Sequence, residues 1–330
     1  FFGAIDLEQF FEDVQHLGDN PDELRAWSDP ISGRWSHPIA RQDGKVLAAE
    51  YLQAGYTEDA NRILTATISR NEKDVDALSM LGTLLHDEGR IEEAIQHYLD
   101  SLRINSENAQ VHFNLGSALQ KQGNLEEAVV HFKEAIRIQP DHAESHINLG
   151  GVFKAQGKND QVVVHYQEAL RINSDNAEVH NNLGLALKSL GRIDEATSHY
   201  NEALRVNPEY AAPHNNLASL LLDMGRHEEV VEHSQTALQI DPNSPQAHNN
   251  WGNALQHMGQ IKEAADHYRK ALQIDPDNAT THNNWGVLLA SRGRLQEAIK
   301  HFQEAVRLKP ALRDAHKNLQ RAKALLEQSR

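Results

Sequence analysis

The sequence predicts an all-α protein, a solenoid of stacked helical hairpins, on three observations. A pattern recurs every 34 residues without insertion or deletion, as in Leu81-Gly82, Leu115-Gly116, Leu149-Gly150 and Leu183-Gly184, and again in Trp251-Gly252 and Trp285-Gly286. Within each period apolar residues fall at helical spacing, for example Val179, Leu183, Ala186 and Leu187. Glycine takes the fifteenth place of every period, at Gly55, Gly89, Gly123, Gly157, Gly191, Gly225, Gly259 and Gly293. A fixed period of this size marks a repeat architecture, and the spacing marks amphipathic helices.

The 330 residues could hold two or three ordinary domains, but the period assigns residues 41–312 to eight units instead. These are 41–74, 75–108, 109–142, 143–176, 177–210, 211–244, 245–278 and 279–312. Residues 1–40, which precede them, differ in kind. Leu7, Phe10, Phe11, Val14 and Leu17 lie on one face of an amphipathic helix, and Asn20-Pro21 opens a short second helix through Trp27. This acidic, aromatic-containing arm carries −6 of the chain's formal charge of −15. Its rings need burial, so it is expected to pack on the first repeats as an N-terminal cap; the alternative is that it docks a partner or followed a membrane anchor.

In each unit the first helix must stop and reverse at the glycine, the residue that adopts a left-handed C-cap without steric cost. The second helix alternates small and large residues along one stripe. Ala60, Ala94, Ala128, Ala196, Ala264 and Ala298 are followed by Tyr98, Phe132, Tyr166, Tyr200, Tyr268 and Phe302, then by Ala135, Ala169, Ala203, Ala237, Ala271 and Ala305. Such interlocking lets antiparallel helices approach closely. Pro140, Pro208, Pro242, Pro276 and Pro310 close their units, where proline blocks helix continuation. The half-unit 313–330 repeats only the first helix. Its polar Lys317, Gln320, Arg321, Lys323 and Gln328 suit the solvent-facing cap that a solenoid needs.

Composition removes several function classes. With no cysteine there is no disulfide, thiolate metal site or cysteine nucleophile, and the acidic balance argues against nucleic acid and for a neutral or basic partner. No window is apolar enough for a membrane span. The start at Phe1 without Met reads as a processed or truncated product, and nothing fixes the compartment. No phosphate-binding glycine loop, GxSxG elbow or HExxH occurs, so no catalytic residue, cofactor or metal site is expected.

Two sets of residues stand out. Histidine recurs at the fourth place of the first helix (His112, His146, His180, His214, His248, His282, His316) and before the aromatic of the second (His97, His131, His165, His199, His233, His267, His301). The reading is structural: imidazoles filling the gap between helices, with the second set beside a glutamate four residues earlier. If the first set is buried and neutral, the melting temperature should fall between pH 7 and pH 5. Asparagine holds the sixth place in seven consecutive units (Asn114, Asn148, Asn182, Asn216, Asn250, Asn284, Asn318) and the fifth at Asn181, Asn215, Asn249 and Asn283. Propensity cannot explain this, because the Asn amide competes with the helix backbone. An amide that both donates and accepts can grip a peptide main chain, or can merely bridge neighbouring units.

On the registered units, the glycine turns and the Ala-aromatic-Ala stripe, the chain resembles the tetratricopeptide repeat (TPR) family over residues 41 to about 330. The runs His-Asn-Asn-Leu-Gly, Glu-Ala, His-Tyr and Glu-Ala-Leu-Arg-Ile are most similar to the repeat arm of O-GlcNAc transferase. The resemblance implies a right-handed superhelix with a capping helix, the first helices lining a concave groove in which these asparagines hold an extended peptide or partner protein. Thr67 and Ser101, Val162 and Val230, Ala48 and Ala218, and Ser234 depart from the family's usual residues; the unit from Arg41 reads as a degenerate first repeat, and the unit from Ala211, with three departures and Pro213, is the one whose packing the pattern specifies least. The carboxylate clamp of chaperone-binding members is not matched, since Phe113, Ile147 and four asparagines stand where lysines and arginines would project. The expected function is a non-catalytic interaction scaffold. The alternatives are the substrate-recruiting arm of a larger glycosyltransferase and a structural subunit of an assembly.

Overall fold

The computed structural model describes residues 44–328, so the arm and its predicted helices lie outside the described residues. Among the described residues there are seventeen helices and no strand. In order these are α1 (Gly44–Gln53), α2 (Thr57–Arg70), α3 (Val75–Asp87), α4 (Ile91–Ile104), α5 (Ala109–Gln122), α6 (Leu125–Ile138), α7 (Ala143–Ala155), α8 (Asn159–Ile172) and α9 (Ala177–Ser189). The rest are α10 (Ile193–Val206), α11 (Ala211–Asp223), α12 (His227–Ile240), α13 (Pro245–His257), α14 (Ile261–Ile274), α15 (Ala279–Ser291), α16 (Leu295–Leu308) and α17 (Arg313–Gln328). They divide into two compact units, one ending at Val152 within α7 and one beginning at Phe153.

In the first unit α1–α2, α3–α4 and α5–α6 pack as hairpins; in the second α9–α10, α11–α12, α13–α14 and α15–α16 do, with α17 against α16. Odd-numbered helices also touch the next odd-numbered helix: α1–α3 and α3–α5 in the first unit, and the run from α9 to α17 in the second. Each unit therefore has a continuous layer of first helices. The fold class is all-α, stacked helical hairpins in each unit, as the periodicity implies.

Polar residues start the first helices. Asp74, Asn108, Asn176, Ser244 and Asn278 each accept the amide of the third helical residue (Ala77, Val111, Val179, Ala247, Thr281), a cap typically worth about 1 kcal/mol. The Asn278 amide also donates to Asp275 at 3.1 Å. At the other end Gly123 reverses the chain at φ 90°, and the seven other glycines of that place have positive φ too.

A second glycine class has a different cause. Tyr98, Phe132, Tyr200, Tyr268 and Phe302 are at most 1% exposed, and their rings lie flat against Gly82, Gly116, Gly184, Gly252 and Gly286. A Cβ on any of these glycines would come within 2.5 to 3.0 Å of the ring. The departures follow this rule. Ala48 and Ala218 are buried alanines in the hairpins that carry Leu64 and Ser234 at the aromatic place, so no ring is there to collide with the methyl. Val230 is buried with Ala218, Leu221 and Ala254, and Pro213 sits in the first turn of α11, where a missing N–H leaves no bond unmade. Ser101 and Thr67 satisfy their hydroxyls on the Val75 and Ile63 carbonyls, at 3.1 and 2.8 Å. The Ser234 hydroxyl is fully buried without a partner. Ser234→Ala is therefore expected to stabilise the protein by about 1 kcal/mol, seen as a higher urea midpoint. A lower midpoint would show that the hydroxyl is bonded.

Glu93, Glu195, Glu229 and Glu297 face the histidines four residues on. They also pair with Arg90, Arg192, Arg226 and Arg294 three residues earlier, at 2.5 to 2.6 Å. The guanidinium hydrogen bond holds the Glu93, Glu195 and Glu297 carboxyls below the usual carboxylate range.

Candidate functional site

The sixth-place asparagines lie on the first-helix layer, and nearly all are half-buried. In the second unit they make a repeating bond to the preceding hairpin. Asn216 Nδ2 donates to Asn181 Oδ1 at 2.8 Å, Asn284 to Asn249 Oδ1 at 3.1 Å and Asn318 to Asn283 Oδ1 at 2.9 Å. The step between them differs: Asn250 is 5% exposed and donates to the Asn215 carbonyl at 3.1 Å, while Asn215 donates to Ser244 and leaves its own Oδ1 unpaired. Asn182 accepts from Lys154 Nζ at 2.7 Å. In the first unit the fifth place holds Ser79 and Phe113, so the sixth-place amides reach other acceptors: Asn114 donates to Thr83 Oγ1 at 3.3 Å and Asn148 to Ser117 Oγ at 3.2 Å.

The two asparagine sets thus have distinct positions. Asn181, Asn215, Asn249 and Asn283 are buried, at 4 to 9% exposure, where they receive the next hairpin's amide or carry its main-chain acceptor. The sixth-place residues other than Asn182 each donate an N–H to the preceding hairpin. Asn216 and Asn318 keep a carbonyl oxygen that takes no bond among the described residues.

Each unit holds a cleft that includes a ladder amide. In the first, Asn114, Gln110, Thr83, Met80, Leu84 and Asp87 are among the residues that line a space of about 640 Å³. In the second, Asn318, Ser291 and Arg321 border about 260 Å³ walled by Val287, Phe302 and Leu325. An apolar lining beside an amide suits a side chain with its main chain held above it. Of these apolar partners the sequence marked only Phe302, as a repeat aromatic; Met80 and Leu84 come from α3, and Val287 and Leu325 from α15 and α17, at positions that do not recur as a set.

The predicted histidine sets meet inside hairpins as pairs, and among the described residues no group of three or more His, Asp or Glu could hold a metal. No described helix is long and apolar enough to cross a membrane.

A family model described as the C-terminal domain of cilia and flagella-associated protein 70, a TPR model, matches residues 103–325, more than half of the chain. The chain belongs to this tetratricopeptide-repeat family. A second model, TPR repeat, matches residues 82–123 of the TPR array. No curated protein matches. Among solved structures, a tetratricopeptide repeat protein from Parabacteroides merdae is 17% identical with a TM-score of 0.60, over 76% of this chain and 98% of that one. Cut9 with Hcn1, from the APC/C, is 19% identical with a TM-score of 0.59, over 91% of this chain and 59% of that one. PilF of Pseudomonas aeruginosa is 25% identical with a TM-score of 0.53, over 63% of this chain and 95% of that one. These likenesses establish the TPR fold.

Proposed function

We propose that this TPR chain is a non-catalytic scaffold that holds an extended segment of a partner protein against its first-helix layer. The observation that carries this reading is the pairing of ladder amide with apolar cleft, at Asn114 in one unit and Asn318 in the other. The amides read main chain, which every sequence offers, and the clefts select one apolar side chain each. The formal charge of −15 favours segments that are neutral or basic. The frame of the reading is eight 34-residue units over 41–312, with the arm 1–40 before them and the capping helix 313–330 after.

The test uses peptides selected from a displayed random library on the full chain. Asn114→Ala and Asn318→Ala should each weaken the selected peptides about 10-fold, since a lost main-chain hydrogen bond is worth about 1 kcal/mol or slightly more, while helical circular dichroism is unchanged. A library that yields no binder, or binders indifferent to both substitutions and to added Lys or Arg, would sink the proposal.

A further inference from the structure

The geometry points to a proton-limited clasp inside the hairpins: five histidine pairs each share one Nδ1 proton between the two helices, and each pair accepts one further proton but not two. Acidification below the histidine range then opens the array hairpin by hairpin.

The pairs are His112–His131, His180–His199, His214–His233, His248–His267 and His282–His301, with Nδ1···Nδ1 distances of 2.9 to 3.0 Å. Two ring nitrogens at this separation require one to donate and one to accept. In three pairs the backbone decides which. His112, His180 and His282 place Nε2 at 3.1, 3.0 and 2.9 Å from the carbonyls of Ser106, Ser174 and Pro276. A carbonyl only accepts, so these rings carry their proton on Nε2 and offer Nδ1 as a lone pair. His131, His199 and His301 must then be Nδ1–H tautomers with Nε2 unprotonated. A first added proton goes to that Nε2 and leaves the clasp intact. A second has only the occupied Nδ1 lone pair to take, and sets two N–H groups against each other.

The surroundings oppose even the first proton. His131, His199, His233, His267 and His301 are all shifted below the ordinary histidine value, in each case chiefly by burial. The facing charges are named by hairpin: Glu127 and Glu134 at His131; Glu195, Glu202 and Arg192 at His199; Glu229 and Glu232 at His233. Lys270 and Asp266 face His267, Lys270 faces His248, and Glu297 and Glu304 face His301. The carboxylates pull upward without overcoming burial. His214 and His267 are pushed down to about 4. Trp251 and Trp285 lie against His267 and His301, with ring centres 4.1 and 5.3 Å apart, and shield them further. Depressed values mean that the unfolded chain, near 6.5, binds more protons than the fold. The stabilisation is therefore complete above about pH 6.5 and is lost as pH falls toward 4.

The α3–α4 hairpin is a built-in control. It carries His97 at the second-helix place but Leu78, 3% exposed, at the first. There His97 Nδ1 is buried with no partner, which is what a clasp lacking one half should show.

The experiment compares melting temperatures at pH 8, 7 and 5 for the full chain, for the triple variant His131→Asn, His199→Asn and His301→Asn, and for Leu78→His. Asparagine at these places still donates an N–H to the facing Nδ1 but does not titrate. The unchanged chain should lose about 10 °C or more between pH 7 and pH 5. The triple variant should lose no more than half of that, and Leu78→His should steepen the fall. Equal slopes in all three chains, or a flat profile in the unchanged one, would overturn the clasp. Should a variant fail to fold, ¹⁵N-histidine spectra of the unchanged chain at pH 8 decide. Nε2–H tautomers at His112, His180 and His282 with Nδ1–H at their partners support the clasp; any other assignment refutes it.

Discussion

Gly184→Ala is expected to destabilise the protein by about 2 kcal/mol, and to lose nearly all of that cost once Tyr200 is also replaced by serine. The added Cβ would stand 2.5 Å from the Tyr200 ring, closer than carbon atoms tolerate, and the ring is fully buried and cannot swing aside. Either α9 and α10 move apart or the ring leaves its rotamer. Tyr200→Ser alone should cost about 3 to 5 kcal/mol, since a large buried ring leaves a cavity. In that background the methyl of Gly184→Ala enters empty space. The hairpin with Ala218 and Ser234 already holds this combination, as does the one with Ala48 and Leu64 in its own way. Urea midpoints for the two single variants and the double one form a cycle whose coupling should reach about 2 kcal/mol. Additive costs would mean that the ring does not set the glycine requirement.

The same pair shows how far the sequence could be read. Period, helix boundaries and turn glycines were legible because they are properties of one position repeated along the chain. The glycine at the eighth place and the aromatic sixteen residues later were equally visible, yet Ala48, Ala218 and Ser234 read as separate lapses. Their relation exists only where the closed hairpin lays ring on backbone. The histidines behave alike: two sets nineteen residues apart are evident, but the clasp depends on carbonyls of Ser106, Ser174 and Pro276 that fix the tautomer. For the asparagines, recurrence marked one face of the first helices, while the stagger that sends Asn216 to Asn181 rather than to Asn182 is a matter of how one hairpin sits on the next. The division at Val152 leaves no trace in a period that runs through it unbroken.

Gly191→Val tests the other glycine class and should cost about 2 kcal/mol by a different route, one that no trimming of neighbours relieves. Gly191 has φ +76°, and an added Cβ would meet nothing within 4 Å. The penalty is therefore internal to the backbone: a left-handed residue with a side chain pays about 1 to 2 kcal/mol, and a β-branched one lies at the upper end. The turn cannot relax to another conformation cheaply. Arg192 N–H donates to Leu187 O at 2.9 Å and Gly191 N–H to Lys188 O at 3.0 Å, bonds that close the end of α9 only with this residue left-handed. Gly191→Asn, whose side chain tolerates that region, should cost about half as much. The turn also sets the angle at which α10 returns, and so the 3.0 Å approach of His199 to His180. Gly191→Val should accordingly loosen the nearest clasp and leave those of more distant hairpins alone, because a solenoid passes strain only to its neighbours. A valine cost as small as that of asparagine, or a loss of all five clasps together, would contradict this account.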